Sequence, residues 1–312
     1  MNWDDLRFFV ELARARRLSH AGRKLGVDHS TVARRIEQLE TAMRCRLFES
    51  KPDGYELTPA GHRLLLHAEG IENTVGLMRE EALGEGARVS GTVRIGTPEG
   101  FGTAFLIPRL AGLLEQHPGL NIELLTLPRF PSLAAREADI IVTLDPPQQG
   151  RYVVSRLTDF TYGLFAARTY LNRCTPIHSR ADLQAHPFVG YVDEMLPSPQ
   201  LQYLEDLSPN LRPRVATSGM LAQVAAVRAG LGLGVLAHYL VDGSDLVPVL
   251  PGEACWGRTF WVATHSDWYR LRRVKAVWDL LRRICEEPTV RFAPKPASGA
   301  AIVPLPLRPR HG

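Results

Sequence analysis

At 312 residues the chain is longer than one hydrophobic core normally grows, so two or three domains are expected. Hydrophobic residues at 45% and charged residues at 22% exclude a fibrous or wholly disordered protein, and no apolar run approaches the ~18 residues that span a bilayer. The net charge of +4 is uneven: Arg14 to Arg46 holds nine Lys/Arg against three Asp/Glu, residues 289–312 hold four and no acid, and the remaining body is net −6.

A first helix is expected from about Asp4 to Arg14, with Leu6, Phe9, Val10 and Ala13 on one face. A short second helix starts at Ser19 as N-cap and stops before Gly26. Asp28 is placed to cap a third, whose first turn is His29, Ser30 and Thr31. In it Val32, Ile36, Leu39 and Met43 form a buried stripe at spacings of four, three and four. Opposite them lie Ser30, Arg34 and Gln38, flanked by Thr31 and Arg35. Small hydroxyls followed one turn later by arginines suit a major groove: Ser and Thr approach backbone and bases, and Arg reaches phosphate or the acceptor edge of guanine. Basicity gathered in the same segment is the electrostatic footprint of a nucleic-acid-binding module.

Leu47 to Thr58 reads as a hairpin turning at Lys51 to Gly54 (KPDG). Three helices and a hairpin make a winged helix-turn-helix over residues 1–58. Its wing carries Lys51, supported by Arg46, along the phosphates or the minor groove. Thr58 as cap and Pro59 at the first helical position open a long helix over 59–84. Along it Leu64, Ala68, Ile71, Val75, Met78 and Ala82 alternate at four and three residues, as in the seam of a two-stranded coiled coil; packing on its own domain is the alternative.

Residues 85–91 (EGARVSG) form the hinge. Over 92–288 strands alternate with helices, an α/β domain with largely parallel sheets. Strands are expected at Val93–Gly96, Asn121–Leu127, Asp139–Leu144, Thr161–Ala166, Phe188–Val192, Arg214–Thr217, near Leu236 and at Thr259–Thr264. Helices are expected at Thr103–His117, near Ser132–Glu137, at Gly219–Ala229 and at Tyr269–Glu286. The proline-rich tail 289–312 is expected to be disordered.

The N-terminal residues resemble those of the LysR-type bacterial transcriptional regulators. The resemblance rests on Leu6–Phe9 (LRFF), Leu18–Ala21 (LSHA), Leu25–Val27 (LGV), Ser30–Ile36 (STVARRI), Leu39-Glu40, Arg46–Glu49 (RLFE) and Leu57–Gly61 (LTPAG). It covers residues 1 to about 65; beyond them Val93–Gly96 (VRIG) and Val227–Gly234 (VRAGLGLG) are local echoes. Gly22 stands where alanine is usual, leaving the second helix either loose or unusually closely packed; Asp28 and His29 replace a common serine and glutamine.

The resemblance implies a multidomain α+β chain: winged helix-turn-helix, linker helix, and a two-lobed effector domain like type 2 periplasmic binding proteins. Lobe I would span about 92–159 and 265–288 and lobe II about 160–264, with crossovers near Thr158–Thr161 and Thr264–Asp267. It further implies double-stranded promoter DNA, a small-molecule effector between the lobes, a homodimer or homotetramer, and RNA polymerase as partners. Candidate DNA contacts are Ser19, His29, Ser30, Thr31, Arg34, Arg35, Gln38, Arg46 and Lys51.

Open α/β sheets bind ligands at the carboxyl ends of their strands. That rule puts Thr97, Glu99 and Gly100 in the cleft, faced by Thr217 and Ser218, with Gly190 and Tyr191 nearby. Thr and Ser before a helix are also ordinary caps. Glu99 there disfavours an anionic effector and favours an amine or a cationic amino acid.

Two competing classes are a cytosolic α/β ligand-binding protein and an enzyme, either with an N-terminal helical appendage. Gly230 to Gly234 precedes a strand instead of joining strand to helix, so the dinucleotide signal fails, and no nucleophile elbow or HExxH is present. No catalysis, cofactor or metal is expected. Four distant cysteines (Cys45, Cys174, Cys255, Cys285) point to a reducing compartment, and MNWDDLRFF lacks the pattern of a signal peptide; a cytoplasmic protein with no membrane partner is expected.

Overall fold

The computed structural model describes residues 2–83, 88–126, 133, 138–196, 198, 201–208, 211–287 and 292. Apart from Leu133 and Phe292, the expected tail and the short helix near Ser132–Glu137 lie outside the described residues, as do residues 85–87 of the hinge. The chain divides into two compact units, Met1–Ala87 and Arg88–Gly312.

The first unit runs α1 (Asp4–Ala15), α2 (Leu18–Leu25), α3 (His29–Met43), the antiparallel hairpin β1 (Phe48–Lys51) and β2 (Gly54–Leu57), and α4 (Pro59–Leu83). Phe9, Leu12, Val32, Leu39 and Leu47 are fully buried in one cluster, the Phe9 ring 5.3 Å from that of Phe48. At about 2 kcal/mol for each such side chain, this cluster dominates the unit's stability. The Asp28 carboxylate accepts the Ser30 N–H at 2.8 Å and caps α3; that hydrogen bonding holds the carboxyl below the usual carboxylate range. The Thr58 hydroxyl accepts the Gly61 N–H at 3.0 Å at the start of α4.

Two expectations change here, and the alternative left open at Gly22 is decided. Ser19 lies inside the first turn of α2, whose cap position is taken by extended Arg17. Met43 is exposed, because α3 ends there and Arg44 turns into the left-handed region at φ 52. Gly22 packs closely: a Cβ would sit 2.7 Å from the Val27 carbonyl, so alanine would force α2 away from the turn to α3.

The second unit contains β3 (Ser90–Gly96), a π-helical turn (Phe101–Leu106), a 3-10 turn (Ile107–Arg109), α5 (Ala111–Gln116), β4 (Gly119–Leu125), β5 (Ile140–Thr143), β6 (Tyr152–Ala167) and α6 (Arg168–Leu171). There follow β7 (Phe188–Tyr191), α7 (Tyr203–Leu207), β8 (Pro213–Thr217), α8 (Met220–Arg228), β9 (Leu233–Ala237), α9 (His238–Val241), β10 (Leu246–Pro248), β11 (Cys255–His265) and α10 (Arg272–Glu286). The single helix expected over Thr103–His117 is broken into three pieces because Pro108 has no N–H to donate.

The strand order is β4-β3-β5-β11-β6-β9-β7-β8, with β10 also paired to β6. Parallel pairs β3/β4, β3/β5, β7/β8 and β7/β9 form the outer parts of two lobes. The antiparallel pair β6/β11 runs through both. The first crossover lies at mid-β6. The second lies earlier than Thr264–Asp267: Trp261 to Thr264 already pair with β5 of the first lobe, and the register shifts between Phe260 and Trp261. Against this sheet α10 buries Val274, Val277, Trp278, Leu281 and Ile284.

Two histidines are expected to make this unit acid-sensitive. Burial lowers the pKa of His186, whose Nδ1 lies 2.8 Å from the Tyr170 hydroxyl, and of His238, whose Nδ1 lies 3.0 Å from the Thr161 hydroxyl. The unfolded chain therefore takes up protons below about pH 6.5 that the folded unit refuses. Thermal stability is expected to hold above that pH and to fall as pH drops through it towards the depressed folded values. Scanning fluorimetry from pH 8 to 5.5 should show the drop, and a shallower one in His186→Gln; equal slopes would remove His186 from the account.

Candidate functional site

In the first unit, α3 presents Ser30, Arg34 and Gln38 as exposed side chains, with His29 at its start and Thr31 half-buried beside them. Arg34 has no acidic partner among the described residues. Arg35 is different. Its guanidinium donates to Asp5 at 2.8 Å, approaches Asp4 at 3.5 Å and lies 5.2 Å from the Phe8 ring, so it braces α3 against α1 and is not free to read bases. Arg46 donates to Glu40 at 2.9 Å and Lys51 lies 3.2 Å from Glu49, yet both side chains remain well exposed. Arg14 is also consumed internally. Burial opposes its charge, but Glu72 at 2.7 Å, Glu69 at 3.4 Å and Glu11 at 3.6 Å together raise its pKa, tying α1 to α4.

Arg16 and Arg17 were not among the expected contacts. The hairpin brings them in: the Tyr55 N–H donates to the Arg16 carbonyl at 2.7 Å, seating β2 beside two exposed arginines with no acidic partner among the described residues. Nothing local signals this, since the pairing joins segments distant in sequence.

The apolar stripe of α4 divides in two. Leu64 and Ala68 belong to the unit's own core, whereas Ile71, Val75 and Met78 are 37%, 49% and 61% exposed and Ala82 is exposed as well.

In the second unit, a cavity of about 130 Å³ opens between the lobes. Glu99, Gly100, Tyr191 and Ser218 line it, together with Tyr162, Tyr239 and Phe260, which sequence reasoning missed. Tyr239 follows the carboxyl end of β9 and was within reach of the strand-end rule; Tyr162 and Phe260 lie on the crossover strands, which that rule does not cover. Glu99 Oε2 accepts the Leu221 N–H at 3.1 Å, so the carboxylate of one lobe sits at the start of α8 in the other. Gly219 leaves room for it, since a Cβ there would meet the Glu99 carboxylate and push that side chain aside.

Three expected residues stand aside. Thr97 is fully buried with its hydroxyl turned toward Gly102; Thr217 donates to the Gly219 carbonyl at 2.9 Å; Gly190 lines a neighbouring cavity, not this one. Among the described residues no group of three His, Cys, Asp or Glu is placed to hold a metal, and no helix is long and apolar enough to cross a membrane.

Residues 3–62 match the model of the bacterial regulatory helix-turn-helix proteins of the lysR family, and residues 86–286 match that of the LysR substrate binding domain. The chain belongs to the LysR family. The Mau operon transcriptional activator of Paracoccus denitrificans is 27% identical over 248 residues, 77% of this chain and 81% of that protein. The transcriptional regulator HdfR of Yersinia pestis is 30% identical over 54% of this chain and 57% of its own length, so that match spans little more than half of it. A full-length OxyR variant of Pseudomonas aeruginosa has the same fold at 18% identity, with a TM-score of 0.69 over 90% of this chain and 98% of that one. This LysR-family protein is thus a transcriptional regulator with a helix-turn-helix DNA-binding unit and an effector-binding unit. Its thiols are free, and burial pushes that of Cys285 up to about 12, leaving it unreactive near neutrality.

Proposed function

We propose that this regulator docks α3 in the major groove of promoter DNA as a homodimer or homotetramer in the cytoplasm, and alters transcription when a small molecule occupies the interlobe cavity. The observation that carries the reading is the exposed Ser30, Arg34 and Gln38 face, with Arg34 free of any acidic partner among the described residues. Thr31 and His29 flank that face. Ser19, Arg46 and Lys51, with Arg16 and Arg17, reach phosphates. The exposed second half of the α4 stripe pairs with a second copy, as a coiled-coil seam does. RNA polymerase is then a partner at the promoter, and the cavity binds without catalysing.

Fluorescence anisotropy on DNA from upstream of the gene, over a salt series, tests the assignment. Affinity should fall steeply with salt, since each neutralised phosphate releases counterion. Arg34→Ala is expected to cost about 1–3 kcal/mol if it reads a base, or to lower the salt slope by about one if it meets phosphate. Arg35→Ala should instead lower the first unit's stability with the salt slope unchanged. Unaltered binding by Arg34→Ala would remove α3 as the reading helix.

A further inference from the structure

Building on the effector reading, we infer that the interlobe cavity is a site for a small primary ammonium ion, held by the Glu99 carboxylate within walls formed by Tyr162, Tyr191, Tyr239 and Phe260.

Charge decides the class of ligand. Glu99 is the one charged side chain among the described residues lining the cavity. The anion position at the start of α8 is already filled by that carboxylate, so an anionic ligand would meet both a negative charge and an occupied backbone donor. Arg258, 5.2 Å from the Tyr203 ring, is not part of the lining.

The walls reinforce the same choice. Aromatic faces attract a cation within about 6 Å of their centroids, most strongly where water is excluded. These rings are backed and held in place: Phe260 stacks on Phe160 at 4.0 Å, Tyr162 packs on Phe160 at 5.1 Å, and Tyr239 stands edge-on to Phe260 at 6.0 Å. Burial keeps the Tyr162, Tyr191 and Tyr239 hydroxyls protonated, so none adds a competing charge.

Hydrogen bonding narrows the class to a primary ammonium. A carboxylate offers about four acceptor positions, and the Leu221 N–H occupies one. The remainder suit an ion with three N–H donors; a quaternary ammonium has none to offer. A cavity of about 150 Å³ admits benzene, so 130 Å³ holds an ion of about half a dozen heavy atoms or fewer.

Titration calorimetry of the full chain with n-propylammonium, propionate and 1-propanol tests this, since the three share a size and differ in charge. Propylammonium alone is expected to bind. Glu99→Gln keeps an acceptor for the Leu221 N–H but removes the charge, and should weaken binding about tenfold or more; Phe260→Leu should weaken it severalfold. Should Glu99→Gln melt well below the parent protein, Glu99→Asp, which draws the carboxylate back, takes its place with the same expectation. Propionate binding as tightly as propylammonium, no propylammonium binding, or indifference to the loss of Glu99 would each overturn the ammonium site. The underlying effector reading is tested apart from any ligand by Gly219→Leu, which wedges the cavity and should change the DNase footprint. An unchanged footprint in that variant, while the parent protein binds propylammonium, would sink the coupling to DNA and leave the ammonium site standing.

Discussion

The double substitution Val75→Glu, Met78→Glu is expected to turn the regulator into a monomer and to cut its affinity for a two-half-site operator by about 10²–10⁴-fold. Both side chains are exposed, so the change should leave the first unit folded. In a paired helix they would lie on the seam, where four glutamates would be brought together and desolvated. The size of the loss follows from effective concentration: once one reading helix is docked, a tethered second helix binds as if at millimolar concentration. Light scattering should report the monomer mass, circular dichroism an unchanged helix content, and anisotropy a single-half-site affinity. A mass unchanged from that of the parent protein would show that the α4 stripe is not the seam. Glutamates placed instead at His67 and Thr74, exposed positions beside the stripe, supply a composition control.

The second large effect is on stability. Glu40 is buried near the end of α3, and its Oε1 accepts the N–H groups of Leu47 at 2.6 Å and Phe48 at 3.1 Å while Oε2 accepts from Arg46. One carboxylate thus fixes where the hairpin leaves the helix. Glu40→Ala strands two buried backbone donors, each costing about 1–3 kcal/mol, so a loss of about 2–6 kcal/mol is expected. That is a large part of the ~5–15 kcal/mol typical of a domain. Glu40→Gln retains one acceptor and should lose clearly less. Hydrogen exchange at the Leu47 and Phe48 amides, read beside urea unfolding, checks the mechanism. Protection kept at both amides in Glu40→Ala would show that the carboxylate does not anchor the wing.

Much of this was legible in the amino-acid sequence, because it rests on local rules. The α3 stripe, the Asp28 and Thr58 caps, the Gly26 stop and the turn at Lys51 to Gly54 each depend on residues within a few positions of one another. The landmarks from Leu6 to Gly61 point to the family on the same basis, and Glu99 stands out because strand ends collect ligands.

Tertiary structure alone decided which charges are spent and which remain available. Arg34 and Arg35 are adjacent and chemically identical, yet only Arg35 falls where α1 supplies Asp5, an acid from a separate helix. Two residues of the α4 stripe, Leu64 and Ala68, are claimed by the unit's own core and the other four are left exposed, a division that periodicity cannot express. The walls of the cavity come from β6, β7, α9 and β11, brought together only when the two crossover strands pair. Short-range regularities are written in the order of residues. The partners of a charge, and the faces of a cavity, depend on contacts between segments far apart in the chain.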